Sequence, residues 1–181
     1  TSSRARVTLV DTTSHALGAK LLAAAEVADG WAVKQGLEWA GLFEFAAPGN
    51  PPMYLAAWQV PDRNEYLAVF ITVTPGDVVR ARWLAFISLF DQDRSLSSSN
   101  TAGTMLFPRW PGQYKQAFTR LGFDELAARH REAVVFLRSR EQVKDRADDR
   151  PLEDILLDAV RKSGDQVRVH RLWAVRGLWW W

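Results

Sequence analysis

Apolar positions recur along the chain with two different periods. The switch between them separates a helical start, a run of strands and a helical end. In "TSHALGAKLLAAAEVAD" (13–29), Leu17, Leu21, Ala24, Ala25 and Ala28 share one face of a 3.6-residue period, which predicts an amphipathic helix. Thr13 or Ser14 can cap its start, and Gly30 can supply a left-handed turn at its end. The period then becomes two. "LEWAGLFEFA" (37–46) places Trp39, Gly41, Phe43 and Phe45 on one side, and the proline-rich turn 48–52 ends the strand. Further strands follow at 53–60, 65–74 and 78–90, separated by "PDRN" and "PGD". Connections this short leave no chain for a crossover, so the four strands read as an antiparallel meander. The fourth is apolar on both sides, as a covered strand would be, and Trp83, Phe86 and Ile87 are expected among the most buried residues.

Residues 91–114 are polar and then interrupted by proline, with a short strand expected at 103–107. A helix is predicted from Asp124, as N-cap, to Arg140. Leu126, His130, Ala133, Val134 and Leu137 form its apolar stripe. After a mixed-charge stretch (139–150), a last helix starts at Pro151 and ends near Gly164, its face formed by Leu152, Ile155, Leu156, Ala159 and Val160. "QVRVHRLWAV" (166–175) alternates like a strand. The expected fold is α+β: one antiparallel meander sheet of four to six strands, with an N-terminal helix and two C-terminal helices packed on it. Residues 1–165 form one domain on this reading, and 166–181 are a C-terminal strand or a juxtamembrane tail.

Composition narrows the picture. With 181 residues the chain can bury a core unaided, and with no cysteine it has neither disulfides nor thiolate metal sites. A net charge of +2 is too small and too spread for a nucleic-acid partner, which needs a concentrated basic surface. The one basic concentration is late: Arg161, Lys162, Arg168, Arg171 and Arg176, against Asp165 alone. No signal peptide opens the chain, and no apolar run approaches the roughly 20 residues that cross a bilayer.

Candidate chemistry is sparse. Asp91, Asp93 and Ser95 alternate as in a calcium loop, but Leu96 and Ala102 stand where that loop needs glycine and glutamate, so a simple turn is expected. Ser97, Ser98 and Ser99 lie in no nucleophile motif and read as turn residues. His15, His130 and His170 are isolated, and no phosphate-binding glycine loop exists. No metal and no cofactor is implied. His130, inside an apolar stripe, is expected to be structural and satisfied by a backbone carbonyl. An alternative makes it a catalytic base working with Asp91 or Asp93. The nine tryptophans, nine phenylalanines and three tyrosines read mainly as sheet core. A second alternative lines an apolar ligand or lipid cavity with Trp39, Trp58, Trp83 and Phe86, beside His130.

The chain ends on Leu178-Trp179-Trp180-Trp181 after Arg168, Arg171 and Arg176. Tryptophan favours the headgroup level and arginine the cytoplasmic flank of a span, so this order predicts a domain cut just before a transmembrane helix. The missing start methionine agrees with an excised piece. The competing expectation is a short packed strand.

The run "YLAVFITV" through "RWLAFISLFDQDRSLSSSNTAGTMLFPRWPG" to "DELAARHREAVVFL", about residues 64–140, resembles an uncharacterised group of bacterial membrane-anchored proteins. The resemblance rests on Ser99-Asn100, the proline-rich loop 108–112 and His130-Arg131-Glu132. It implies an antiparallel sheet and a membrane context, and no activity. The resulting expectation is a non-enzymatic interaction or regulatory domain on the cytoplasmic face of a membrane, or in the cytoplasm. Its partners would be a membrane surface and another protein.

Overall fold

The computed structural model describes residues 6–46, 52–102, 109–146 and 150–169, the last stretch by backbone alone at 164 and 167–169. Seven strands and three helices alternate as β1 (Arg6–Leu9), α1 (Gly18–Lys34), β2 (Glu38–Ala46), β3 (Met53–Gln59), β4 (Glu65–Thr74), β5 (Val78–Leu89), β6 (Ser95–Ser99), β7 (Gln113–Ala117), α2 (Phe123–Arg140) and α3 (Leu152–Val169). The strands lie in sequential order in one sheet. Every neighbouring pair is antiparallel except β6 and β7, which run parallel. The fold is therefore α+β, with a seven-stranded, mostly antiparallel sheet.

The pleat sends alternate residues to opposite faces, and both faces are covered. On one, Leu42, Tyr54, Ala56, Trp58, Leu67, Val69, Ile71, Leu84 and Phe86 meet Leu21, Ala25, Ala28 and Ala32 of α1 and Leu126 and Ala127 of α2. On the other, Val7, Phe43, Leu55, Ala57 and Ala68 meet Leu152, Leu156, Leu157 and Val160 of α3. Double coverage explains why β3 and β4 carry apolar residues almost without alternation. Two tryptophans add polar ties on the first face: Trp58 donates from Nε1 to Asp29 Oδ1 at 2.9 Å, and Trp31 to Asp124 Oδ1 at 2.9 Å. Trp31 also stacks on Phe123, which joins α1 to α2.

Several expectations are corrected. α1 starts at Gly18 and runs through Gly30 to Lys34. Thr13 and Ser14 do not cap it: their side chains and the Thr13 N–H donate to the Asp11 carboxylate, closing a turn of their own. The chain leaves the helix at Gly36, where φ is +72°. In β2 the alternation breaks at a bulge between Trp39 and Gly41, so Trp39 and Phe43 face opposite sides. Gly41 has φ +138°, and a Cβ there would lie 2.8 Å from Leu9 Cδ1, which makes glycine the residue that fits the kink.

No sequence pattern announced β1, and β6 and β7 raise the strand count above the expected four to six. Neither shows an apolar alternation, and the serines 97–99 form a strand rather than a turn. Trp83 and Ile87 are only partly buried while Phe86 is buried: Trp83 adjoins the exposed first half of β5, and Ile87 packs at the margin of the cluster on the α3 side. Among the described residues the fully buried tryptophan is Trp58. α3 continues past Gly164 to Val169, so the start of the alternating stretch 166–175 is helical. The strand expected at 103–107, and residues 170–181, lie outside the described residues.

Candidate functional site

One transverse row of the sheet collects most of the chain's unusual side chains. The register aligns Trp39, Trp58, Leu67, Phe86, Ser98 and Gln116 across β2 to β7. The row begins in an edge-to-face pair between half-exposed Trp39 and buried Trp58, 5.0 Å between centroids. It ends in two polar residues, and α2 lays His130 over that end.

His130 is 5 % exposed and sits 5.9 Å from the Phe86 ring, centroid to centroid. Both its ring nitrogens are bonded: Nδ1 to Ser98 Oγ at 2.6 Å and Nε2 to Ser88 Oγ at 2.8 Å. Gln116 Nε2 lies 2.6 Å from Ser98 Oγ and 3.4 Å from the Arg129 carbonyl oxygen. A carbonyl only accepts, so the Gln116 amide presents its N–H groups to both oxygens. Ser98, accepting from Gln116, turns its own O–H toward Nδ1. The remaining ring proton is then on Nε2 and is donated to Ser88. The result is a directional relay, Gln116 to Ser98 to His130 to Ser88, spanning β7, β6, α2 and β5.

The charge state follows from burial. Little water reaches the ring and no carboxylate hydrogen-bonds it, so desolvation lowers the His130 pKa from 6.5 to about 4. The imidazole is neutral at pH 7. A serine donating to an imidazole nitrogen is the geometry of an activated nucleophile. Yet Ser98 is 0 % and Ser88 1 % exposed, so no substrate carbonyl can approach either hydroxyl in this conformation. The arrangement fits buried polar groups satisfying one another. The carbonyl partner expected for His130 is replaced by two hydroxyls.

The remaining candidates do not join this site as one cluster. Trp39, Trp58 and Phe86 share its row, whereas Trp83 stacks on Phe70 on the opposite face, 4.9 Å between centroids. Asp91 and Asp93 face cations instead of His130. Asp91 accepts from Arg94 Nη2 and from the Lys144 N–H, and the Arg94 bond leads the causes that hold its carboxyl below the usual range. No group of residues able to hold a metal occurs among the described residues, and no helix there is long and apolar enough to cross a membrane. Arg168 lies on α3. Arg171, Arg176, Trp179, Trp180 and Trp181 fall outside the described residues.

Ser88 and Gln116 escaped the sequence reading, and Ser98 was read there only as a turn residue. A serine in a strand carries no apolar signal of its own, and the only available clue was His130 in an apolar stripe without a partner at helical spacing. The chain matches no family model, and comparison with curated proteins and with solved structures returns no match.

Proposed function

We propose that this chain is a non-enzymatic interaction or regulatory domain serving a bacterial membrane protein at its cytoplasmic face. The observation that supports the non-enzymatic part is the sealed relay. The most reactive-looking arrangement, Ser98 with His130, is buried under α2 and consumed in internal hydrogen bonds. The membrane part is supported by sequence at the end of α3. That helix leads from Arg161 and Lys162 toward Arg171, Arg176 and Leu178-Trp179-Trp180-Trp181, a basic segment followed by headgroup-level aromatics.

The test is co-sedimentation of the chain with anionic vesicles. Binding is expected to be weak and lost on raising salt or deleting residues 177–181, with the melting temperature unchanged by the deletion. A deletion that lowers the melting temperature, in a chain that never bound vesicles, would refute the reading and mean that the tail packs on the body.

A further inference from the structure

The turn between β5 and β6 carries Asp93, a 59 %-exposed carboxylate on which three cations converge. Lys162 Nζ from α3 lies 3.2 Å from Oδ2. Arg146 Nη2, from the segment after α2, lies 3.7 Å from Oδ1, and Arg150 Nη2, two residues before α3, lies 3.9 Å from it. Only the lysine is at hydrogen-bond length; the two guanidinium distances are too long for one. Both arginines also engage other groups, among them Asp158, which accepts from Arg150 Nη1 at 2.8 Å. Asp93 therefore pairs with three cations, at close range with one of them.

We propose that Arg146, Arg150 and Lys162 form a cradle for the phosphate of an anionic lipid headgroup, and that Asp93 is its built-in occupant, displaced on docking. A tetrahedral phosphate offers more acceptor oxygens than a carboxylate. It can meet several cations at charge-assisted lengths of about 2.7–2.9 Å, which Asp93 does not do for the arginines. Asp93 can leave, because its side chain is largely exposed and nothing but these cations holds it among the contacts seen. The cradle lies on and beside α3, the helix that continues toward the basic, tryptophan-ended segment, so one approach to a membrane would engage both. The lipid source thus rests on the membrane reading above. Asp148 and Asp149, close in sequence, lie outside the described residues.

The experiment compares full-length wild type, D93N and K162Q in co-sedimentation with vesicles of phosphatidylglycerol in phosphatidylcholine. Residue 93 has φ +59°, a conformation asparagine tolerates as well as aspartate, so the D93N turn is retained. D93N is expected to bind about fivefold more tightly and K162Q about fivefold more weakly, the scale of one charge at an anionic surface. D62N, at an exposed turn with φ +57°, removes the same charge elsewhere. An equal gain there would show that net charge alone is being read, and would overturn the cradle. Unchanged binding by K162Q would overturn it too, and that half-exposed position keeps the test alive should D93N fail to fold. Inorganic phosphate, titrated into D93N and followed by amide NMR shifts around the turn, separates the sources. Binding as tight as to vesicles would make the ligand a free phosphate and overturn the lipid assignment. Repeating the D93N comparison without residues 177–181 reads the cradle independently of the tail, so the two proposals fail separately.

Discussion

The buried imidazole of His130 makes folding stability depend on pH over a window that can be stated in advance. In the unfolded chain the ring binds a proton near 6.5, while in the folded protein it does so only near 4, because burial penalises the charged form. Between those values the unfolded state holds more protons, so stability is full above about pH 6.5 and is lost as pH falls toward 4. The gap between 6.5 and about 4, at about 1.36 kcal/mol per pH unit, amounts to about 3 kcal/mol in full. About 2 kcal/mol of that should be gone by pH 5. Urea unfolding of wild type and H130Q at matched pH values between 7.5 and 5 measures it, since the difference between the two cancels every other titrating group. Histidine 15N NMR of the folded wild type provides an independent readout. The His130 signals should stay those of the neutral Nε2–H tautomer down to pH 5. A wild-type-minus-variant difference that changes by less than about 0.5 kcal/mol across the window, or a ring that titrates near 6.5, would refute both the burial argument and the proton assignment.

Two further outcomes follow from the same geometry. Removing the Ser98 hydroxyl leaves the Gln116 N–H and His130 Nδ1 unmatched in the interior, so S98A should cost about 1–3 kcal/mol in denaturant titration, and a neutral effect would show that water replaces the hydroxyl. The two α1 glycines should respond in opposite directions. A Cβ at Gly18 would stand 2.0 Å from the Thr12 carbonyl oxygen and G18A should lower the melting temperature, whereas Gly30 has open space and G30A should add roughly 0.5–1 kcal/mol of helix stability. A destabilised G30A would mean that its outer face is in contact with something.

The elements legible in the sequence were those whose burial is periodic. β4 matches its expected limits, 65–74, because apolar spacing and short polar turns act locally there; α2 ends where expected, but its N-cap is Gly122, two residues before the expected Asp124, which lies in the first turn and accepts from Trp31. What escaped was set by partners distant in sequence. β6 is four serines around Leu96, and β7 is a polar strand beside it. Both become strands because β5 and α2 are already there to cover them. The bulge at Gly41 inverted the face assigned to Trp39, since a single extra residue shifts a period of two without changing composition. Trp83 was separated from the other proposed cavity residues by parity: Phe43, Leu55, Phe70 and Trp83 form one row, and Trp39, Trp58 and Phe86 lie three rows along on β3 to β5, an odd number and so on the other side. His130 stood out from sequence alone, but its serines, 32 and 42 residues away, did not.

The serine-rich composition of β6 gives the relay a second consequence. A strand reading Ser-Leu-Ser-Ser-Ser has one apolar side chain to tell it which way to face, so against a one-residue slide along β5 the hydrophobic restraint is the burial of Leu96 alone. Such a slip would carry Ser98 to the far side of the sheet, bring Ser97 or Ser99 beneath α2 out of step with Gln116, and break the hydrogen bonds that satisfy His130 in the dry interior. Polar groups that must all be matched at once tolerate one alignment where greasy side chains would tolerate several. In this molecule the histidine works as a second key, cut for the same setting that Leu96 alone would otherwise have to hold.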